Sequence, residues 1–111
     1  VVVYSIQFES GSDRLKPESF AVLDEVAKSL AAQPEVRVRI EGHTDDKGDS
    51  GRNLLFSQQR ALSVANDLVD RCGIDRARLE YEGYGETRPL ERDTSEEARA
   101  KNRRVEFRVI P

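Results

Sequence analysis

Apolar side chains recur at every second position at Val2, Tyr4, Ile6 and Phe8, the spacing of a strand with one buried face. The Ser10-Gly11-Ser12-Asp13 cluster predicts the turn that ends it. Pro17 suits a first helical turn, and Phe20, Leu23, Val26, Ala27 and Leu30 then follow a helical period until Gln33-Pro34, which predicts an amphipathic helix. Val36-Arg37-Val38-Arg39-Ile40-Glu41 alternates strictly and predicts a second strand, aliphatic on one face and charged on the other. Gly42 to Gly51 breaks both periods and reads as a loop at the strand's end, a position that often carries function.

From about Arg52 to Cys72 the helical period returns through Ala61, Val64, Ala65, Leu68, Val69 and Cys72, with Gly73 placed to cap the helix. Leu79 and Tyr81 open another alternating stretch that ends at Gly83-Tyr84-Gly85. Thr94 to Lys101 is polar and predicts a loop with a short helical turn, and Val105, Phe107 and Val109 predict a last strand after Asn102. The order βαβαββ, with two helices long enough for crossovers, predicts a two-layer α/β (α+β) sandwich. Its sheet is expected to be mixed, with the two main helices on one face and a short third helix. Because the strands alternate, the other face is expected to meet solvent. No repeat, linker or low-complexity tract interrupts the chain, so residues 1–111 are read as one domain.

Composition narrows the function classes. Hydrophobic residues make up 37% and charged residues 35%, the balance of a soluble globular domain. A net charge of -3 gives no electrostatic reason to expect a nucleic-acid partner. The apolar run Val1-Val2-Val3-Tyr4 is far short of the ~20 residues that cross a bilayer. No charged segment precedes an apolar stretch, so any targeting information is expected to lie outside this sequence. The lone Cys72 has no internal disulfide partner and is read as a small buried residue.

The most unusual local sequence is Glu41-Gly42-His43-Thr44-Asp45-Asp46-Lys47-Gly48, followed on the next helix by Asn53, Ser57, Arg60 and Ala61. With the Gly-His-Thr-Asp loop, the Asn-x-x-Phe-Ser-x-x-Arg-Ala-x-x-Val helix, Gly83-Tyr84-Gly85-Glu86 before Pro89, and Asn102-Arg103-Arg104-Val105 leading the last strand, the chain resembles the OmpA-like peptidoglycan-binding domain. That domain also occurs in Pal lipoproteins and flagellar stator MotB proteins, and the matching pieces span nearly the whole chain in the family's order. Phe56 stands where the family usually has Leu before this Ser.

The resemblance implies a non-catalytic anchor that binds the diaminopimelate stem residue of peptidoglycan in the periplasm, as part of an outer-membrane-associated protein. It implies Asp45 and Arg60 as the ligand-binding pair, with Asn53, Arg103 and Thr44 lining the site and further contacts from the loop before the first helix. The chemistry is sensible, since the free end of diaminopimelate is a zwitterion. Asp accepts from its ammonium, and the planar fork of Arg takes its carboxylate through two parallel hydrogen bonds. Each residue also has a plainer reading, Asp45 as a turn or helix-capping carboxylate and Arg60 as a structural or solvated helix residue.

His43 is expected to play a structural, hydrogen-bonding role, and as the only His it has no second imidazole for zinc. The acidic run 45–49 lacks the alternating ligands of a calcium loop, so neither metal nor cofactor is expected. Arg103 and Arg104 are neighbours at a strand start and are expected to point to opposite faces. Two rival readings remain open. One is a hydrolytic site at His43, Asp45 and Asp46, which has no recognisable Ser or Cys nucleophile beside it. The other is a protein-interaction or dimerisation module of an envelope or motor complex.

Overall fold

The computed structural model describes residues 2–4, 6–9 and 11–111; Val1, Ser5 and Ser10, the last of them part of the anticipated turn cluster, lie outside the described residues. Strands β1 (Val2–Tyr4), β2 (Arg37–His43), β3 (Leu79–Gly83) and β4 (Arg104–Ile110) are joined by helices α1 (Glu18–Ala32), α2 (Ser50–Asp70) and α3 (Glu96–Asn102). The sheet order is β1-β4-β2-β3. β2 and β3 run parallel across the α2 crossover, while β4 lies antiparallel between β1 and β2. This is the mixed sheet of the anticipated two-layer sandwich, with the polar stretch before the last strand forming α3.

The first strand is shorter than the alternation suggests. Phe8 pairs only in an isolated bridge with Leu15, and residues 7–9 pair with 14–16 in a small hairpin through Glu9 N–H to Arg14 O (2.8 Å) and Lys16 N–H to Gln7 O (2.9 Å). β2 runs on through Gly42 and His43, so the loop expected from Gly42 to Gly51 contracts to residues 44–49. Asp49 caps α2 by accepting the Arg52 N–H at 2.8 Å. That starts the helix at Ser50, ahead of where its apolar period becomes visible.

One face of the sheet carries the core. Leu23 of α1, Ile40 of β2 and Leu68 of α2 are fully buried, and Val26, Leu30, Val38, Ala61, Val64, Val105 and Phe107 pack in the same cluster. Cys72 is half-buried at the edge of this cluster rather than within it.

The opposite face corrects the expectation of solvent. Glu41, His43, Arg104 and Glu106 all sit on it and are nevertheless buried. The cause is the segment after β3, which folds across them. Asn102 fastens that segment, its Oδ1 accepting from the Leu90 and Glu91 N–H groups (2.8 and 3.0 Å) and its Nδ2 donating to Glu91 O (2.9 Å). Arg104 Nη2 donates to Arg88 O at 2.8 Å. Strand alternation reports which residues share a face, but not whether a later loop returns to cover it.

Two glycines let α2 rest on bare sheet backbone. A Cβ at Gly42 would come within 2.5 Å of the Ser57 carbonyl oxygen, and one at Gly83 would fall on the Gln58 amide nitrogen and the Ser57 hydroxyl. Both obstructions are largely helix backbone and cannot turn aside. Gly42→Ala and Gly83→Ala are each expected to cost about 2–3 kcal/mol of stability, read as a lower urea midpoint. Gly51→Ala, where the nearest atom is the movable Asp49 carboxylate, is expected to stay within about 0.5 kcal/mol of the parent.

Candidate binding cleft

A cleft of about 480 Å³ opens at the carboxyl end of β2. The hairpin before α1 contributes Phe8 and Gly11, β2 contributes Gly42 and His43, α2 contributes Ser57 and Arg60, and the α3–β4 junction contributes Ala100, Arg103 and Arg104. Ser57 ties these walls together. Its hydroxyl donates to Leu54 O (2.8 Å) and accepts from the Gly85 N–H (2.9 Å), joining α2 to the turn after β3.

Arg60 is the half-buried cation of the cleft. Its Nε donates to the Ser12 carbonyl at 3.0 Å, and its Cζ lies 4.6 Å from the Phe8 ring centroid and 4.2 Å from that of Phe56. It forms no ion pair within 4 Å among the described residues, and burial pushes its pKa down from the ordinary guanidinium value. Asp13 acts on it only at longer range, so the guanidinium keeps donors that an external anion can use.

Asp45 has a partner within the protein. Its Oδ2 accepts from Arg103 Nη1 at 2.7 Å and its Oδ1 accepts from the Lys47 N–H at 2.9 Å. The helix-cap role belongs to Asp49, so Asp45 is a turn carboxylate with one oxygen turned to a cation. Arg103 also donates to Glu96 Oε1 at 2.6 Å. Glu96 and Asp45 raise the Arg103 pKa, Glu96 contributing more, and Arg103 in turn lowers that of Glu96.

Thr44 and Asn53 hold the 44–49 loop. The Thr44 hydroxyl donates to Asp45 O at 2.8 Å, and its N–H donates to Gly85 O at 2.9 Å. Asn53 Nδ2 donates to Lys47 O (2.9 Å) and Glu86 Oε1 (3.3 Å). Outside them, Arg99 Nε donates to Asp46 Oδ1 at 2.9 Å. The structure therefore joins Asp45 to Arg103 directly, places Arg103 and Arg60 on one cleft, and puts Thr44 and Asn53 behind the loop as braces.

Beneath the cleft lies a buried layer of charge. Arg104 Nε donates to Glu106 Oε2 at 2.7 Å, and Arg108 Nε to Glu41 Oε2 at 3.1 Å, with Arg39 Nη1 3.7 Å from the same oxygen. Arg103 and Arg104 do diverge as their adjacency predicts, one to the rim and the other to a buried acidic neighbour. His43 corrects the hydrogen-bonding role anticipated for it. Neither ring nitrogen has a hydrogen-bond partner among the described residues; Nε2 is 4.0 Å from Glu106 Oε2, and the ring stacks on Tyr84 at 5.4 Å between centroids. Glu41, His43 and Glu106 are residue types that ligate metals, but guanidinium groups already neutralise both carboxylates, and His43 is a packed neutral ring. Burial, reinforced by Arg104, pushes its pKa down to about 4.

Sequence reasoning did not single out Phe8, Ser12 and Glu96 as individual site residues. Phe8 has the pattern of an ordinary strand residue, Ser12 acts through its carbonyl, and Glu96 lies in a featureless polar run. The doubling of aromatics is half visible, since Phe56 precedes Arg60 by one helical turn.

A model of the OmpA family matches residues 7–103. The chain is 41% identical over 106 residues to the peptidoglycan-associated lipoprotein of Pseudomonas putida, covering 96% of this chain and 63% of that protein. It spans 48% and 31% of the length of two further relatives. Among solved structures it resembles the peptidoglycan-associated lipoprotein from Burkholderia pseudomallei (TM-score 0.84, 28% identity, 95% of this chain and 88% of that one). It also resembles the cell wall anchor of the type VI secretion system (T6SS) from Pseudomonas aeruginosa (TM-score 0.80, 34% identity, 93% and 73%).

The buried His43 makes stability depend on pH. Its folded pKa lies below the unfolded value of about 6.5, so the unfolded chain binds the extra proton. The stability of the neutral ring is complete above about pH 6.5 and is lost as pH falls toward 4, by on the order of 3 kcal/mol. Urea unfolding across this window should show a slope about one proton smaller in His43→Gln than in the parent.

Proposed function

This chain belongs to the OmpA family, and on that footing we propose that the domain binds peptidoglycan non-covalently and anchors its parent protein to the cell wall. The contact is to the zwitterionic amino-acid end of a diaminopimelate stem residue, on the periplasmic side of an outer-membrane or other envelope protein. Arg60 takes the carboxylate and Asp45 the ammonium. Arg103 shares Asp45 with the ligand and lines the cleft, while Asn53 and Thr44 keep the Asp45 loop in place. The chemistry is recognition, with no covalent step.

The observation that carries this reading is the pairing state of the two arginines. Arg103 is ion-paired with both Asp45 and Glu96, whereas Arg60 is partly desolvated, held through Nε and in no ion pair within 4 Å among the described residues, with Asp13 acting only at longer range. A ligand carboxylate completes Arg60, and the ammonium attached to the same carbon meets Asp45, which Arg103 ties to the rim of the cleft. Solved and curated relatives named for peptidoglycan association or wall anchoring support the polymer as the partner.

Each charge-assisted contact contributes about 1.5–3 kcal/mol, so Arg60→Ala and Asp45→Ala are each expected to weaken binding by roughly 10- to 100-fold. The measurements are titration with meso-diaminopimelate and co-sedimentation with purified peptidoglycan. Arg60→Lys keeps charge without the fork and should still lose about 10-fold. Folded Asp45→Ala and Arg60→Ala proteins that sediment with peptidoglycan as the parent does would overturn the assignment.

A further inference from the structure

The guanidinium of Arg60 has three close neighbours. Phe56, one turn earlier on α2, lies against one side at 4.2 Å, and Phe8, from the hairpin before α1, contacts it at 4.6 Å. The Nε edge is occupied by the Ser12 carbonyl at 3.0 Å. The edge left over is the terminal pair Nη1 and Nη2, for which the described residues supply no hydrogen-bond partner.

We propose that Phe8, Phe56 and the Ser12 carbonyl form a clamp that fixes the plane of the Arg60 guanidinium, so that it presents its Nη1–Nη2 edge end-on and selects a free carboxylate over the corresponding primary amide. The proposal rests on the reading that Arg60 receives the ligand's carboxylate. Phe8 and Phe56 are positioning residues, acting through Arg60.

An unclamped Arg spreads over many rotamers and loses that freedom on binding. Here the ordering is done during folding, by a helix neighbour at i−4 and a hairpin held by backbone hydrogen bonds. The rings also keep water from the guanidinium, which strengthens its remaining hydrogen bonds. The burial that lowers the Arg60 pKa has the same origin. With its Nε occupied, the fork requires two coplanar acceptor oxygens at its end. A carboxylate provides them, whereas a primary amide provides one acceptor and turns an N–H donor toward an N–H donor.

The test is a double-mutant cycle on the whole domain, with affinities for meso-diaminopimelate measured by NMR titration into the millimolar range. Phe56→Leu and Phe8→Leu are expected to weaken binding about 5-fold each in the parent background, within the range of one cation–π contact. In an Arg60→Ala background each should change it less than 2-fold. Phe56→Tyr, which keeps the ring, should bind within 2-fold of the parent. The Arg60 Nη hydrogens should give separate NMR signals in the parent that merge in Phe56→Leu as rotation about Nε–Cζ is freed.

Equal losses in both backgrounds, or none in either, would overturn the clamp while leaving Arg60 as the receptor. The diamide of diaminopimelate is expected to bind at least 30-fold more weakly than the diacid. A diamide that binds as well as the diacid, or an Arg60→Ala domain with parental affinity, sinks the underlying reading of Arg60 itself. Because both rings are only half-buried, the Leu variants are expected to fold, which thermal unfolding checks directly.

Discussion

Because neither Gly42 nor Gly83 carries a Cβ, α2 lies against the backbone of β2 and β3, and the α2 residues of the cleft take their position from that contact. Ser57 sits at the point of approach and joins the helix to Gly85. One turn before it, Asn53 reaches the carbonyl of the Asp45 loop; three residues after it, Arg60 reaches the hairpin before α1. A helix displaced outward by a methyl group would shift Asn53 and Arg60 together. Close packing here is therefore a condition of the site's geometry as well as of stability.

The buried charge under the cleft serves the same geometry from the other side. Glu41 and Glu106 lie beside each other on neighbouring strands, and each is matched by guanidinium groups from the same sheet. Tyr84 closes over His43, with Arg88 in turn stacked on Tyr84 at 3.7 Å. Such a layer adds little net stability, since desolvation offsets much of the attraction. What it supplies is direction, because the segment after β3 has one place where its carbonyl and ring find partners. That segment carries Gly85 and Glu86, which hold Thr44 and Asn53.

The elements were legible in the sequence because burial on one face leaves a period, and Leu23, Val26 and Leu30 or Val38 and Ile40 show it plainly. The first boundary error has a physical source. Gly42 and His43 continue β2 without an apolar side chain to announce it, and Ser50 and Gly51 enter α2 because Asp49 caps them. The covered outer face was illegible for a different reason. Glu41, Arg104 and Glu106 alternate as solvated residues do, and only the return of residues 84–92 buries them. In the cleft, Asp45 and Arg60 stood out through their motif, whereas Phe8 and the Ser12 carbonyl act through contacts more than 45 residues away in sequence, where no local period exists.

The two charged residues of the proposed site are held in opposite ways. Asp45 is kept ordered by neutralisation, since Arg103 and the Lys47 N–H occupy both of its oxygens while leaving lone pairs unused. A carboxylate so held loses less hydration when an ammonium arrives, but it also offers a weaker field. Arg60 is kept ordered by two rings and one hydrogen bond to a neutral carbonyl, with Asp13 acting on it only at longer range. On the proposed zwitterion reading the two ends are therefore met differently, the carboxylate by a guanidinium packed between side chains and the ammonium by a carboxylate already held by Arg103. In the proposed site, holding Asp45 between a guanidinium and an N–H donor, and Arg60 against two rings, would make the aromatic environment of Arg60 part of the binding geometry.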